Sequence, residues 1–395
     1  MKQKIFSLDL GNKALKICVG EEDEQGKINL LTKLAKNIES FNDGEIIDQE
    51  AFEEEVINTL KDVAYQIGEE PKNLILSFIS SHFQFQKAKG RVSLSERYVT
   101  DEDIRKCHLL AKASLTSTSY EILFEEPIAY FLDNLNIKVR DPLGMEARNL
   151  EVDFLVIQGL KSVISRLRDF FNKNGLKISL ILPNPLPASF ILIPKKEKEQ
   201  GVILVDFGYR IFNISIFQEG KLIYYQNLKF GLGDILEDLA LDFSLSFDEV
   251  LSIFDEIKDY DEKQKPAPTS GGKLKIKIGK QKMTYHNFLK LLDKKFSFYW
   301  KKNGLQDLFK KIKENYRLPL GVYLIGAGSY LPEINLGFKK YSGYPTKIET
   351  DLYKNLNQEE RIFLNAVGSI FYFQRLFRPK DFFDNLKELF FGLFR

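Results

Sequence analysis

The pattern of apolar positions predicts two strand–turn–strand hairpins, one in each half of the chain. IFSLDLG (residues 5–11) and ALKICVGE (residues 14–21) read as strands that flank a turn at Gly11 and Asn12. GVILVDFGYRIFNISIF (residues 201–217) repeats this order of strand, Asp-x-Gly turn and strand. β-Branched and aromatic residues favour strands, and glycine lets the backbone turn sharply. The repetition indicates that the two halves share one design.

Helical periodicity follows each hairpin, and this alternation is typical of an α/β fold. Apolar spacing predicts helices at 48–67, 161–175, 233–245, 246–260, 285–316 and 357–377. Further strands are predicted at 73–80, at the start of GVYLIGAGSYLPEI, and in a short hairpin at 273–285. The segment 261–273, which is polar and holds proline, glycine and serine, predicts an exposed loop.

The order of predicted strands and helices changes between residues 84 and 160, which indicates an inserted module. FQFQKAKGRVSL (residues 83–94) predicts a pair of strands, and a helix follows with Thr100 or Asp101 as its N-cap. Strands are predicted at 120–133 and 151–159. The module therefore combines strands with one helix.

Composition narrows the classes of function. The chain has 395 residues, enough for more than one domain, and a net charge of +2, which gives no overall field for nucleic acid. Cys18 and Cys107 are far apart and indicate no disulfide framework, as in a reducing cytoplasm. His82, His108 and His286 show no metal-ligand spacing.

The longest apolar tract, ISLILPNPLPASFILIP (residues 178–194), is interrupted by four prolines. A spanning helix needs about 20 uninterrupted apolar residues. We therefore expect that the chain does not cross a membrane, although it can lie on one.

These motifs resemble two nested groups of proteins. The two Asp-x-Gly hairpins, the late Gly-Ala-Gly turn and the terminal helix resemble the actin, Hsp70 and sugar-kinase superfamily. RDPLGMEARNLEVDFLVI (residues 140–157) resembles the signature of the bacterial cell-division family FtsA, and PLPASFILI followed by GVILVDFG has the same order there. The resemblance implies an α/β, actin-like (ribonuclease H-like) two-lobed fold with an inserted α+β, SHS2-type subdomain and a C-terminal amphipathic helix.

The resemblance also implies a division of the chain into subdomains. They are 1A (1–83, 161–198 and 360–378), 1C (84–160), 2A (199–233 and 319–359), 2B (234–318) and a membrane-targeting helix (379–395).

The superfamily binds ATP with magnesium between its two lobes, and the resemblance implies candidate nucleotide-binding positions. They are Asp9, Gly11, Asn12 and Lys13 in the first turn, Asp206, Gly208 and Arg210 in the second, Gly231 before a helix, Glu249 at a ribose-contacting position, and Gly326, Ala327 and Gly328 in the adenosine turn.

The second turn departs from the family pattern Asp-Ile-Gly-Gly-Gly-Thr-Thr-Asp. Tyr209 and Arg210 replace two glycines, Ile211 replaces a threonine, and Asn213 replaces the second aspartate. Bulky residues block the approach of the backbone to an anion, although Arg210 can supply positive charge in its place. We expect a weakened phosphate grip, no catalytic residue, and at most slow ATP hydrolysis.

The final segment predicts an amphipathic helix that lies on a membrane. One stripe of this helix is apolar and consists of Phe382, Phe383, Leu386, Leu389, Phe390, Leu393 and Phe394. A terminal helix that docks on its own core is the alternative. A stripe this rich in phenylalanine needs a cover, and FtsA-like proteins carry a membrane-targeting helix at this position.

The resemblance implies a scaffold at the division site, peripheral on the cytoplasmic face of the cell membrane. Its partners would be the C-terminal tail of the tubulin-like ring protein FtsZ, further copies of itself in an actin-like filament, membrane lipid and other division proteins, but no nucleic acid. Residues suited to an acidic, apolar tail are Lys294, Lys295, Phe298, Trp300, Lys301 and Lys302. The alternative for these residues is an ordinary solvated helix.

Two other functions share the fold. A pilus-assembly scaffold of the PilM type would bind a short peptide from a membrane protein and would not need the terminal helix. A weak ATPase or kinase of the same superfamily would need the glycine-rich second turn and an acidic base.

Overall fold

The computed structural model describes residues 3–115, 117–133, 137–246, 249, 250, 252, 253, 275–278, 281–348 and 361–377. The chain divides into two compact units: Met1–Gly201, Ile214–Asn227 and Leu356–Arg395 form the first, and Val202–Asn213 and Leu228–Asn355 form the second.

The strands are β1 (Gln3–Leu10), β2 (Ala14–Glu22), β3 (Ile28–Asn37), β4 (Phe41–Asn42), β5 (Glu45–Ile46), β6 (Asn73–Phe78), β7 (Gln84–Ser93), β8 (Tyr120–Leu132), β9 (Lys138–Val139), β10 (Asn149–Leu160), β11 (Lys177–Pro183), β12 (Val202–Phe207), β13 (Phe212–Gln218), β14 (Lys221–Leu228), β15 (Lys275–Ile278), β16 (Gln281–Thr284), β17 (Val322–Ile325) and β18 (Thr346–Ile348). The helices are α1 (Gln49–Ile67), α2 (Asp101–Ala113), α3 (Lys161–Lys173), α4 (Leu186–Leu192), α5 (Lys195–Gln200), α6 (Leu232–Phe243), α7 (Tyr285–Lys302), α8 (Leu305–Asn315), α9 (Pro332–Ser342) and α10 (Leu364–Phe377), with a 3-10 turn at Ala327–Tyr330.

The first unit is built on a five-stranded sheet of order β11-β6-β1-β2-β3. β1 pairs antiparallel with β2, so that Asp9 faces Lys16, and parallel with β6, so that Asp9 faces Ser77. The middle of the sheet is apolar, and Leu8, Ile17 and Leu76 are fully buried. The predicted first hairpin is therefore the centre of this sheet.

Helix α10 packs on this sheet and on α4. Gly368 lies where the two helices meet, and a Cβ atom there would overlap the carbonyl oxygen of Pro187. A glycine in the middle of a helix lowers its stability, so this glycine is retained for packing.

The inserted module is a sheet of order β7-β10-β8-β9 covered by α2. Thr100 caps α2, and its side chain accepts a hydrogen bond from the Asp103 N–H while the Asp103 carboxylate accepts one from the Thr100 N–H. The predicted pair of strands at 83–94 is wrong, because β7 is one continuous strand. Gly90 is not a turn residue; it lets the backbone of α2 approach β7, since a Cβ atom would overlap the carbonyl oxygen of Cys107.

The second unit is built on the adjacent strands β12, β17 and β18. Within the second unit β12 runs parallel to β17, and β17 runs parallel to β18. Stacked and edge-to-face aromatic rings fill the core of this unit, namely those of Phe207, Phe212, Phe230, Phe296, Trp300, Phe309 and Phe338.

Several further elements differ from the sequence prediction, and three of them are informative. β3 and β11 are additional strands, and both lie at sheet edges, where the apolar pattern is weak and proline is tolerated. The predicted helix 285–316 is two helices, because Gly304 adopts a φ of +67° between them.

Some predicted elements lie outside the described residues. They are most of the helix 246–260, the loop 261–273 and the terminal helix 379–395. None of the helices in the described ranges has the length and apolar content of a membrane span.

One lysine, Lys198, lies half-buried where several elements of the first unit meet. The Lys198 Nζ lies 4.6 Å from the ring centroid of Phe190 and 4.8 Å from that of Phe217, and it donates to the Ser189 Oγ at 3.3 Å. Burial lowers the pKa of Lys198 to about 7; Glu126 opposes this shift and Arg375 adds to it. The ammonium form is therefore costly inside the folded protein.

We predict that Gly368→Ala lowers the melting temperature by several degrees. Helix propensity alone would make alanine stabilising, but overpacking against Pro187 costs about 1–3 kcal/mol. Calorimetry on the full chain measures this, and Leu376→Ala, at an exposed position of the same helix, is the control. A higher melting temperature for Gly368→Ala would contradict the packing.

We also predict that the protein becomes more stable as the pH rises from about 7 to 8.5, by at most about 1.4 kcal/mol per pH unit from Lys198. The unfolded chain binds a proton at Lys198 that the folded chain releases above its lowered pKa, so alkaline conditions favour folding. Lys198→Met should flatten this rise, whereas Lys195→Met, at an exposed position of α5, should not. Equal slopes for wild type and Lys198→Met would refute the assignment.

Candidate functional site

The first turn joins β1 to β2 in the first unit. The Gly11 N–H donates to the carbonyl oxygen of Ala14 at 3.0 Å. A Cβ atom at Gly11 would lie 2.9 Å from that oxygen and 2.9 Å from the Lys16 Nζ. The turn therefore requires glycine at this position, and the Lys16 ammonium group lies beside it.

Asp9 is a buried carboxylate at the end of β1, with only 2% of its surface exposed. Its Oδ2 accepts from the Lys16 Nζ at 3.1 Å, and its Oδ1 accepts from the Asn184 Nδ2 at 2.7 Å. Buried charges need such partners. Sequence reasoning missed Lys16, although the register of the hairpin places it directly opposite Asp9.

Asn12 and Lys13 are also engaged within the first unit. The Asn12 Oδ1 accepts from the Asp43 N–H at 3.0 Å, and the Lys13 Nζ donates to the Glu39 Oε1 at 3.4 Å. The Asp43 carboxylate in turn accepts from the N–H and the hydroxyl of Ser81, each at 2.6 Å. The turn is therefore part of a wider polar network.

Residues distant in sequence extend this network. The Tyr225 hydroxyl donates to the carbonyl oxygen of Asn184 at 2.6 Å, and the Asn227 Nδ2 donates to the carbonyl oxygen of Ser80 at 2.7 Å. No motif marks these positions, because the contacts arise only when the chain folds.

The second turn, in the second unit, repeats the hydrogen bond of the first. The Gly208 N–H donates to the carbonyl oxygen of Ile211 at 3.0 Å, three residues on, as Gly11 does to Ala14. A Cβ atom at Gly208 would lie 2.8 Å from that oxygen. The two Asp-x-Gly turns thus have the same backbone geometry despite different side chains.

Helix α6 begins directly against the second turn. Gly231 is its N-cap, and the N–H groups of Leu232 and Gly233 donate to the carbonyl oxygens of Gly208 at 3.0 Å and Tyr209 at 2.8 Å. A Cβ atom at Gly231 would overlap the Tyr209 carbonyl. The first amides of α6 are therefore bonded to the turn itself.

Arg210 forms an ion pair with Glu237 on α6. The guanidinium carbon also lies 5.1 Å from the ring centroid of Tyr209. The hydrogen bond to Glu237 raises the pKa of Arg210, because it stabilises the protonated guanidinium. The cation that sequence reasoning offered to a phosphate already has a carboxylate partner.

The Gly-Ala-Gly turn follows β17 in the same unit. Gly326 has a φ of +86°, and a Cβ atom there would overlap the Asp206 carboxylate, while one at Gly328 would overlap the ring of Phe207. Ala327 lies between the two glycines and is the first residue of the 3-10 turn. Both glycines make room for the end of β12.

The remaining predicted residues have ordinary roles or lie at the surface. The Glu249 carboxylate accepts from the Ser246 N–H at 2.7 Å, in the manner of a helix cap. In the predicted tail-binding set, Lys294, Lys301, Lys302 and Phe298 are exposed, Lys295 donates to Asp242 at 2.8 Å, and Trp300 is buried. The expectation that Trp300 contacts a partner is therefore wrong.

In both turns the nearby cation is paired with a carboxylate of the protein, Lys16 with Asp9 and Arg210 with Glu237. The second turn is further occupied by the first two amides of α6, which donate to its carbonyl oxygens. A paired cation and bonded amides do not suit an incoming anion. Among the described residues, no cluster of three or more histidine, cysteine and acidic side chains could hold a metal ion.

Comparison with known proteins places the inserted module. A family model described as the SHS2 domain inserted in FTSA matches residues 80–158. The cell division protein FtsA of Bacillus subtilis is 25% identical over 247 residues, which cover 62% of this chain and 55% of that protein. The FtsA of Borreliella burgdorferi is 21% identical over 392 residues, which cover 93% of this chain and 90% of that protein. The chain thus spans about half the length of the first relative and most of the second.

Solved structures support the fold alone. The PilM-PilN type IV pilus biogenesis complex matches with a TM-score of 0.64 at 12% identity, covering 94% of this chain and 98% of that one. MreB 5 of Spiroplasma citri bound to AMPPNP matches with a TM-score of 0.52 at 13% identity, covering 94% and 96%. The predicted actin-like fold with an SHS2 subdomain is confirmed. Taken together, the module, the fold and the FtsA relatives support a divergent FtsA-like protein with an actin-like fold.

Proposed function

We propose that the protein is a cell-division scaffold that lies on the inner face of the cytoplasmic membrane and tethers the FtsZ ring to it. The observation that carries this proposal is the SHS2-type module within an actin-like frame, matched by relatives named for cell division. The scaffold would recruit later division proteins to the same site.

The inserted module offers surfaces for assembly. Leu109 and Leu110 on α2, and Leu143 and Met145 in the Asp-Pro-Leu-Gly-Met turn, are large exposed apolar side chains. The Gly144 N–H donates to the carbonyl oxygen of Val99 at 2.9 Å, which ties that turn to the residue just before the N-cap of α2. Exposed apolar patches mark interaction sites, and we assign these to self-association or to division partners.

The pilus scaffold is the second candidate, since the PilM-PilN structure shares the fold. Its 12% identity carries no function, whereas FtsA relatives align over as much as 93% of this chain. A weak ATPase or kinase is less well supported, because Arg210 is paired with Glu237 and the second turn lacks its glycines.

Membrane attachment rests on residues 379–395, which lie outside the described residues. Their sequence pattern supports a reversible interfacial helix, and many copies in a filament would gain by avidity. A scaffold built in this way would couple assembly to membrane binding.

Docking of the FtsZ tail is proposed for the exposed face of α7. Phe298 is 54% exposed, and the Lys302 Nζ lies 5.7 Å from its ring centroid. Lys294 and Lys301 are exposed on the same helix. An apolar ring bordered by ammonium groups suits an acidic, apolar peptide.

We predict that deleting residues 379–395 abolishes flotation of the protein with lipid vesicles, because the deletion removes the apolar stripe. Phe383→Glu with Phe390→Glu should do the same without shortening the chain. Lys387→Gln, a matched change on the polar face, should leave flotation intact. Vesicle binding by the truncated protein would contradict the assignment of residues 379–395 as the membrane anchor.

We predict that Phe298→Ala and Lys301→Glu each weaken binding of an FtsZ tail peptide by about tenfold, which corresponds to about 1.4 kcal/mol. Fluorescence anisotropy with a labelled peptide measures this. Lys173→Glu, an exposed lysine on α3, controls for net charge. Unchanged affinity in both α7 variants would place the tail elsewhere.

A further inference from the structure

We infer that the Arg210–Glu237 ion pair, together with Tyr209, holds the second turn against α6 in place of nucleotide phosphates. The second unit would then keep its arrangement without ATP. The inference rests on the fold and on contacts inside the second unit, and not on the proposed role in division.

The charge around the second turn opposes the binding of a phosphate. A phosphate site needs positive charge in excess, and Arg210 is the cation that the second turn contributes. Glu237 neutralises it through an ion pair, with Asp234 one helical turn away as a further acidic group. An incoming triphosphate would have to displace Glu237 and then lie beside its unpaired carboxylate.

The backbone N–H groups at the start of α6 already have partners. Helix N-termini bind anions through amides that lack partners. At α6 the Leu232 and Gly233 amides already donate to the carbonyls of Gly208 and Tyr209, and the Gly231 amide donates to the Asp234 Oδ2 at 2.8 Å. Three amides at the start of this helix, those of Gly231, Leu232 and Gly233, are therefore already bonded within the chain.

Protein atoms fill the space beside the glycines of the second unit. The side of Gly233 on which a Cβ would stand faces the Tyr209 ring, whose Cζ would lie 2.9 Å away. Gly326 and Gly328 likewise face Asp206 and Phe207. At these glycines the space in which a nucleotide could lie is occupied by side chains of the protein.

The Arg210–Glu237 ion pair, called the latch below, is tested by comparing thermal stability across four full-length proteins: wild type, Arg210→Ala, Glu237→Ala and the double variant. If the two side chains hold the turn, each single change lowers the melting temperature and the double variant falls little further, because the effects are not additive. Additive losses, or no loss, would overturn the latch.

Nucleotide independence is tested with Mg-ATP itself on the same proteins. Wild type should show no saturable binding of a fluorescent ATP analogue up to about 1 mM and no rise in melting temperature with Mg-ATP. Replacing Tyr209 and Arg210 by glycine and Ile211 by threonine should create a Mg-ATP-dependent rise in melting temperature.

Micromolar binding by wild type that is lost in Arg210→Ala would show that Arg210 holds phosphate, and would overturn the inference. This readout needs only wild type and one variant, so it decides the question even if the triple variant does not fold. Membrane or FtsZ recruitment does not enter it, and failure of the division role is therefore distinguishable.

Discussion

The close approach of backbone to backbone at a few glycines is the constraint on which the structure depends. At Gly11 and Gly208 a turn closes through one N–H donated to a carbonyl three residues on. At Gly368 a helix contacts the carbonyl of Pro187, and at Gly90 β7 contacts the carbonyl of Cys107. A side chain at any of these positions would separate the elements that form the frame.

Within that frame the two Asp-x-Gly turns are surrounded by different side chains. Beside the first turn, Lys16 is paired with the buried carboxylate of Asp9. In the second turn Arg210 is bound to Glu237 on α6. The same backbone hydrogen bond therefore closes two turns whose cations are each paired with a carboxylate of the protein. A scaffold can keep such a frame because its task is to present surfaces rather than to turn over a substrate.

Sequence patterning predicted the parts of this structure that local chemistry determines. The two hairpins, α2 with its Thr100 cap, and α3 follow from strand propensity, capping and helical spacing. Edge strands such as β3 lacked a clear pattern because only part of their surface is buried. The long-range partners of the site, Lys16 and Asn184 around Asp9, were missed because their proximity depends on sheet register and tertiary packing. Trp300 was misplaced because its polar neighbours suggested a surface, whereas its ring belongs to an aromatic core.

The proposed scaffold would tether FtsZ to a membrane, and its frame would need no nucleotide to do so. Recruitment of FtsZ filaments to lipid vesicles by the full chain, measured with and without Mg-ATP, tests both at once. The account predicts recruitment to the same extent in both conditions. Absence of recruitment in both conditions would contradict the scaffold, and recruitment only with Mg-ATP would contradict a second turn that needs no nucleotide.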